Sequence, residues 1–130
     1  MSSQPNPQII LTYFDWSLAR LKEAIENEDT QYFRAAALHR FRLTYEVALE
    51  TIRAFARGQG QNCSTDKSCF QWAEKKHWLE KTTDWNAMLS DYEKVKNPPK
   101  NKNLSKVYIE LKTYYLLLNH LSRCMKMKGK

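Results

Sequence analysis

The stretch from Asp29 to Gly58 constrains the fold more than any other part of the chain. Its apolar side chains recur at alternating intervals of three and four residues, at Leu38, Phe41, Tyr45, Ala48, Ile52 and Phe55. This spacing is typical of a helix that packs against other helices along its whole length. Asp29 or Thr30 is a suitable N-cap, and Gly58 and Gly60 lie where a C-terminal glycine is expected. At ~1.5 Å per residue such a helix is about 40 Å long, so it can form the centre of a small bundle.

Four further segments carry helical signals, and no run shows the alternating hydrophobicity of a strand. The three-and-four spacing predicts one helix from about Gln8 to Asn27 and another from about Leu104 to Lys126. A short helix is expected from Thr65 or Asp66 to about Glu80, and a fourth from Thr83 or Asp84 to Asn97, before two prolines. The predicted fold is all-α, an up-and-down four-helix bundle with one additional short helix.

The 130 residues are expected to form a single domain from residue 8 to residue 126. Residues 1–7 are expected to be a disordered arm, and residues 127–130 a basic tail. The first residues lack the apolar core of a signal peptide, and no apolar run approaches the ~20 residues that span a membrane. The chain is therefore expected to be cytoplasmic.

The three cysteines predict neither a disulfide framework nor a zinc site, because their number is odd and they show no Cys-x-x-Cys spacing. Cys63, Cys69 and Cys124 are therefore expected to be reduced thiols.

The positive charge is concentrated in the last third of the chain. The formal net charge is +7, and from Tyr92 onward there are ten Lys or Arg residues against two Asp or Glu residues. Such asymmetry is compatible with an anionic partner such as RNA, a nucleotide or an acidic protein surface. A solvated lysine-rich face is the commoner explanation, so nucleic-acid binding is possible but not favoured.

Two motifs resemble those of a known family. The segment Arg40-Phe41-Arg42-Leu43-Thr44-Tyr45-Glu46-Val47-Ala48-Leu49 resembles the Arg-Phe-x-Phe-Thr-aromatic-Glu-x-Ala-Trp signature of the nucleotidyltransferase substrate-binding proteins, which are part of the HEPN superfamily. Trp85-x-x-Met88-Leu89-x-Asp91 is similar to a second stretch of the same family. The resemblance covers roughly residues 14–121. It implies a helical fold like that of the helical domain of kanamycin nucleotidyltransferase.

The same resemblance implies a homodimer that pairs with a separate minimal nucleotidyltransferase. In the toxin branch of the superfamily, an Arg-x4-His motif follows the aspartate and forms a ribonuclease site, with a modifiable tyrosine two residues later. Counted from Asp91, these three positions are Tyr92, Asn97 and Pro99. A neutral phenol offers no guanidinium, and an asparagine transfers no proton. The pattern therefore predicts a scaffold without ribonuclease activity, related to toxin–antitoxin systems.

Little else in the sequence indicates chemistry on this chain. His39, His77 and His120 show no metal-ligand spacing, and no glycine-rich phosphate loop is present. Neither a metal nor a cofactor is expected, and the chain is not expected to be an enzyme. Asp91 is adequately explained as a surface residue.

Arg40, Tyr45 and Glu46 are the candidates for a groove that meets the partner or its substrate. An alternative for Arg40 is a pairing with an acid on the first or fourth helix that fixes packing. Four tryptophans exceed the needs of one small core, so one of Trp16, Trp72 and Trp78 is expected at a dimer interface. The predicted function is a non-catalytic substrate-binding or partner subunit of a two-component nucleotidyltransferase. The alternative is an RNA-directed protein, either a degenerate ribonuclease toxin or an RNA binder.

Overall fold

The computed structural model describes residues 6–79, 82–98 and 104–128, and within these ranges the chain is helical with no β-strand. The helices are α1 (Pro7–Glu26), α2 (Gln31–Gly58), α3 (Asp66–Lys75), α4 (Thr82–Lys96) and α5 (Ser105–Lys128). The all-α prediction is confirmed. Over these same residues, no helix combines the length and the apolar character that crossing a membrane requires.

The observed helix ends differ from the predicted ones by one or two residues, apart from α3. Helix α1 begins at Pro7, where the Asn6 side chain accepts a hydrogen bond from the Gln8 amide at 2.8 Å. Thr30, rather than Asp29, is the N-cap of α2 and accepts from the amide of Phe33 at 3.2 Å. Helix α5 extends two residues into the predicted basic tail. The first five residues of the predicted arm, Pro99 and the last two residues of the tail lie outside the described ranges.

Helix α2 is the central element, and it contacts each of the other four helices. The apolar positions that predicted it are buried from Phe41 to Phe55, and Leu38 packs half-buried against the same core. The other long helices contribute matching buried positions, including Phe14 on α1, Met88 on α4 and Leu111 on α5, all of which are fully buried. Hydrophobic burial along α2 therefore holds the helices around a single core.

Helix α3 ends at Lys75, five residues before the predicted end near Glu80. The reason is a Schellman motif, in which the amide of Trp78 donates to the carbonyl of Ala73 at 3.0 Å and that of His77 to Glu74 at 2.9 Å. His77 adopts a left-handed conformation with φ of 64°. The indole of Trp78 then packs edge-on against Trp72, with ring centroids 5.2 Å apart. Burial of Trp78 thus reverses the chain where the sequence contains no glycine to mark a helix end.

The expectation of three reduced cysteines is wrong for two of them. Cys63 and Cys69 form a disulfide with Cα atoms 5.0 Å apart, and Cys124 is free. Cys63 lies in the loop after α2, and Cys69 lies in the first turns of α3, so the chain reversal between them brings the two residues together. Spacing rules for zinc sites and multi-disulfide frameworks do not detect such a local pair. Both residues are buried, and both belong to the core.

Replacing His77 with glycine is expected to raise the free energy of unfolding by about 0.5–1 kcal/mol. A left-handed backbone conformation is strained for a residue with a Cβ atom and unstrained for glycine. Urea denaturation followed by circular dichroism at 222 nm measures the change. The matched control is Lys75→Gly, which places glycine inside the last helical turn and should lower stability by about 0.5–1 kcal/mol. An unchanged or lower stability of His77→Gly would contradict this account of the α3 end.

Candidate functional site

Two tyrosines from the two motif-bearing helices stack on each other in the interior. The rings of Tyr45 on α2 and Tyr92 on α4 are nearly parallel, with centroids 3.8 Å apart and an interplanar angle of 13°. Tyr45 is fully buried, and Tyr92 is 5% exposed. The Phe70 ring of α3 packs against Tyr45 at 5.6 Å. The stack therefore joins α2, α3 and α4 at one level of the protein.

Each of these tyrosines donates its hydroxyl hydrogen to a carboxylate near the surface. The Tyr92 hydroxyl donates to Glu46 Oε2 at 2.6 Å, and the Tyr45 hydroxyl donates to Asp66 Oδ2 at 3.0 Å. A buried phenol requires such an acceptor, because an unpaired polar group in the core is costly. Glu46 follows Tyr45 directly on α2, and Asp66 is the first residue of α3. The two carboxylates therefore lie at the hydroxyl ends of the two stacked rings.

Two arginines of α2 flank the carboxylates. Arg42 Nε lies 3.3 Å from Glu46 Oε2, and Arg53 Nη2 lies 3.7 Å from Asp66 Oδ1. The side chains of Glu46 and Arg42 are about 40% exposed, so this pair contributes little to stability but presents ordered charges to solvent. The Cys63–Cys69 disulfide encloses Asp66 and restrains the segment that carries it. We call Arg42, Tyr45, Glu46, Asp66 and Tyr92 the tyrosine–carboxylate site.

Both phenols are held in the neutral form. Burial raises the pKa of Tyr92 above its ordinary value, and the negative charge of Glu46 next to the hydroxyl raises it further. The pKa of Tyr45 is raised in the same way, chiefly by burial and then by Asp66. Proton transfer at neutral pH needs a group that titrates near neutrality. At neutral pH the phenols of this site donate hydrogen bonds and stack, and their raised pKa values make them poorly suited to act as bases or nucleophiles.

The second motif is also connected to α5, through Asp91. Asp91 Oδ2 accepts a hydrogen bond from the Tyr114 hydroxyl at 2.5 Å, and Lys94 Nζ lies 3.4 Å from Asp91 Oδ1. The Asp91 side chain is only 16% exposed. Its interpretation as a plain surface residue was therefore wrong, and Asp91 links α4 to α5.

Arg40 does not join the tyrosine–carboxylate site. It lies on the side of α2 that faces α1, and its guanidinium carbon is 5.9 Å from the centroid of the Trp16 ring. In that position it makes a cation–π contact with an aromatic residue of α1, where the sequence suggested an acid as one possible partner. Asn97 is not among the residues that form the site. It is exposed directly after the end of α4, and its amide donates to the carbonyl of Glu93 at 2.9 Å.

The sequence indicated three members of the site and missed two. Tyr45 and Glu46 belonged to the first motif, and Tyr92 was singled out as a departure from the second. Asp66 was indicated only as a possible start of the short helix, and Arg42 occupies a variable position of the first motif that indicates no role. The i,i+4 spacing of Arg42 and Glu46 was a usable signal for their ion pair. No local pattern could indicate that Asp66 meets Tyr45 across 21 residues of chain.

The described residues contain no group of three or more His, Cys, Asp or Glu side chains that could hold a metal ion. Within the tyrosine–carboxylate site, each carboxylate already accepts from a tyrosine and lies beside an arginine. This arrangement of carboxylates, phenols and arginines is suited to binding through hydrogen bonds and charge.

Comparisons with known proteins show the fold. No protein-family model matches the chain. No curated protein matches its sequence. Among solved structures, the crystal structure of a protein from Thermus thermophilus superimposes with a TM-score of 0.74. The two sequences are 22% identical, and the match covers 83% of this chain and 94% of the other. At this identity the likeness concerns the fold alone, because one fold serves many functions.

Replacing Tyr92 with phenylalanine is expected to lower the free energy of unfolding at pH 7 by about 1 kcal/mol, the typical net contribution of one intramolecular hydrogen bond. The effect should depend on pH. Because the folded pKa of Tyr92 is raised, the stabilisation is complete below about pH 10, where unfolded tyrosine ionises. It decreases as the pH rises further toward the folded pKa.

Urea denaturation at pH 7, 9 and 11 measures this difference between the wild-type protein and Tyr92→Phe. The control is Tyr32→Phe, since Tyr32 is 75% exposed and should change stability by less than about 0.5 kcal/mol. A difference that grows between pH 9 and pH 11 would refute the assigned hydrogen bond.

Proposed function

We propose that this protein is a non-catalytic, partner-binding subunit of a two-component nucleotidyltransferase system. In this proposal it docks a separate minimal nucleotidyltransferase and positions that enzyme's substrate. The catalytic subunit supplies the metal-dependent chemistry, and this chain contributes to the rate by orientation. The proposal includes membership of the nucleotidyltransferase substrate-binding group within the HEPN superfamily.

One observation carries the proposal, which is that the two motif-bearing segments meet in space. Tyr45 and Glu46 belong to the first motif, and Tyr92 directly follows the second. Their contacts are the 3.8 Å ring stack and the 2.6 Å hydrogen bond from Tyr92 to Glu46. Two segments separated by about forty residues thus build one ordered and half-exposed surface, as expected for a recognition site.

The chemistry of this site favours binding over catalysis. Its phenols are protonated at neutral pH, as tyrosine ordinarily is, and burial and the adjacent carboxylates raise their pKa values further. Tyr92 occupies the position that corresponds to arginine in the ribonuclease motif, and its ring is used for packing. Asn97 is exposed directly after the end of α4.

The contacts between helices support an up-and-down four-helix bundle with α3 as the additional short helix. Helices α1, α2, α4 and α5 form a closed ring of neighbours, since α1 contacts α2 and α5, and α4 contacts the same two helices. Helix α3 packs against α2 and α4. In this arrangement the tyrosine–carboxylate site lies where α2, α3 and α4 meet.

We further propose that the protein is a homodimer whose interface includes α1. Ile9, Tyr13 and Trp16 are each more than half exposed and lie on one face of α1. Tryptophan and tyrosine are enriched at protein interfaces. Of the three tryptophans suggested for this role, Trp16 is the exposed one, whereas Trp78 is 1% exposed and Trp72 is partly buried.

An RNA-directed function is the second candidate, and the excess positive charge from Tyr92 onward favours it. Binding dominated by phosphate contacts would weaken steeply with rising salt. Cleavage of RNA by the purified protein alone would rule out the first proposal in favour of this second candidate.

The partner hypothesis predicts that a minimal nucleotidyltransferase is encoded beside this chain and that it binds the purified protein. Replacing Glu46 with glutamine should weaken that binding at least tenfold, because it removes the charge from the exposed part of the site. Isothermal titration calorimetry measures the affinity. The matched control is Glu110→Gln, which removes the same charge from an exposed position on α5. Absence of binding by the wild-type protein would eliminate the hypothesis.

The dimer hypothesis predicts that the wild-type protein sediments as a dimer and that Trp16→Ala shifts it toward the monomer. Loss of a central interface tryptophan commonly costs more than about 2 kcal/mol of binding free energy. Tyr32→Ala is the control, since Tyr32 is 75% exposed at the start of α2. Sedimentation of the wild-type protein as a monomer at all concentrations would rule out the dimer.

A further inference from the structure

A second surface, separate from the tyrosine–carboxylate site, lies between α1 and α5. It is an open groove of about 560 Å³. Ile25 of α1 and Tyr115 of α5 form its partly buried floor and pack against the core. Leu116 is 57% exposed beside them. The groove therefore offers apolar contact area between two adjacent helices, a shape that accepts the side chains of a third helix.

The outer face of α5 extends the apolar part of this surface. Ile109, Leu116 and Met127 are 70%, 57% and 79% exposed, respectively. At ~100° per residue these three positions lie within about 20° of one another on the helix. They form a discontinuous apolar stripe about 27 Å long at ~1.5 Å per residue, with Lys112 and Arg123 on the turns between its members. We call the groove and this stripe together the α1–α5 surface.

The charge of the α1–α5 surface is strongly one-sided. Its described lining includes the cations Lys22, Lys112 and Arg123, against the single carboxylate of Glu26. The three cationic residues are exposed, and they flank the apolar floor from both helices. A ligand that fits this surface must combine apolar side chains at helical spacing with negative charges on either side of them.

We infer that the α1–α5 surface docks an acidic amphipathic helix of a partner protein. Ile109 and Leu116 are separated by seven residues, which equals one heptad of apolar side chains on a partner helix. The cations at Lys112 and Arg123 complement glutamates that flank such a seam. Complementary charge of this kind steers association and selects the partner.

The aliphatic character of the surface favours a helix over RNA. Ile109, Leu116 and Met127 match leucine and isoleucine side chains, whereas RNA is bound by aromatic side chains on which bases stack. Tyr115 is the one aromatic residue of the described lining, and it is half-buried in the floor.

This inference goes beyond the proposed function and does not depend on it. Lys22 and Ile25 lie on the opposite side of α1 from Ile9, Tyr13 and Trp16 at ~100° per residue. The surface is also formed without α2 or α4, which carry the tyrosine–carboxylate site. A test with a synthetic peptide is independent of the nucleotidyltransferase, so failure of one proposal leaves the other standing.

The experiment uses the full-length protein labelled with ¹⁵N and a synthetic helical peptide of about 20 residues. The peptide carries leucine at heptad a and d positions and glutamate at the flanking positions. We expect progressive shifts of the amide resonances of Ile25, Tyr115 and Leu116 during the titration. The double variant K112E/R123E should weaken binding at least tenfold. The variant K67E/K75E makes the same change of charge at exposed positions of α3 and should bind like the wild-type protein.

The remaining arms use a peptide with lysine in place of each glutamate, a single-stranded RNA and vesicles that contain an anionic phospholipid. The lysine peptide should not shift the groove resonances of the wild-type protein, and it should regain binding to K112E/R123E. Absence of groove shifts with the acidic peptide would overturn the inference. Shifts confined to other surfaces, or tighter binding of the RNA or the vesicles at the groove, would overturn it as well.

Discussion

The burial of two phenols constrains the whole structure. Aromatic rings pack against each other where α2 meets α3, α4 and α5, but each tyrosine also brings a hydroxyl that must have a partner. Tyr45 and Tyr92 meet this requirement by extending past their stacked rings to Asp66 and Glu46 near the surface. The hydrogen bond from Tyr45 to Asp66 therefore constrains the position of α3 relative to α2. The hydrogen bond from Tyr92 to Glu46 constrains the rotation of α4 about its axis.

A series of ring contacts extends this constraint across the bundle. Tyr45 packs against Phe41 on the next turn of α2, and Phe41 stacks on Tyr114 of α5 at 5.5 Å. Tyr114 then donates its hydroxyl hydrogen to Asp91 of α4. Rings on α2, α4 and α5 are thus connected through packing and hydrogen bonds. Such a connection holds the half-exposed carboxylates in fixed positions, and a recognition surface benefits because less freedom is lost on binding.

The long helices were predictable because each is encoded by a local repeat. The seam from Phe41 to Phe55 is buried as expected, and the ends of α1 and α2 follow caps that can be read within a few residues. Predictions failed where distant residues decide the outcome. Burial of Trp78 against Trp72 ends α3 early, with His77 in a conformation usually taken by glycine. The Cys63–Cys69 disulfide likewise depends on the turn between α2 and α3.

The sequence by itself determined that the chain is helical, which segments form the long helices and which of their faces enter the core. These properties depend on residues three and four positions apart, and such neighbours are fixed by the geometry of a helix. The tertiary structure alone decided that Tyr92 stacks on Tyr45, that Asp66 completes the site and that Arg40 turns away toward Trp16. Those contacts join residues 21 to 47 positions apart in the chain. Their formation depends on how the helices rotate and pack, and no local pattern encodes that rotation.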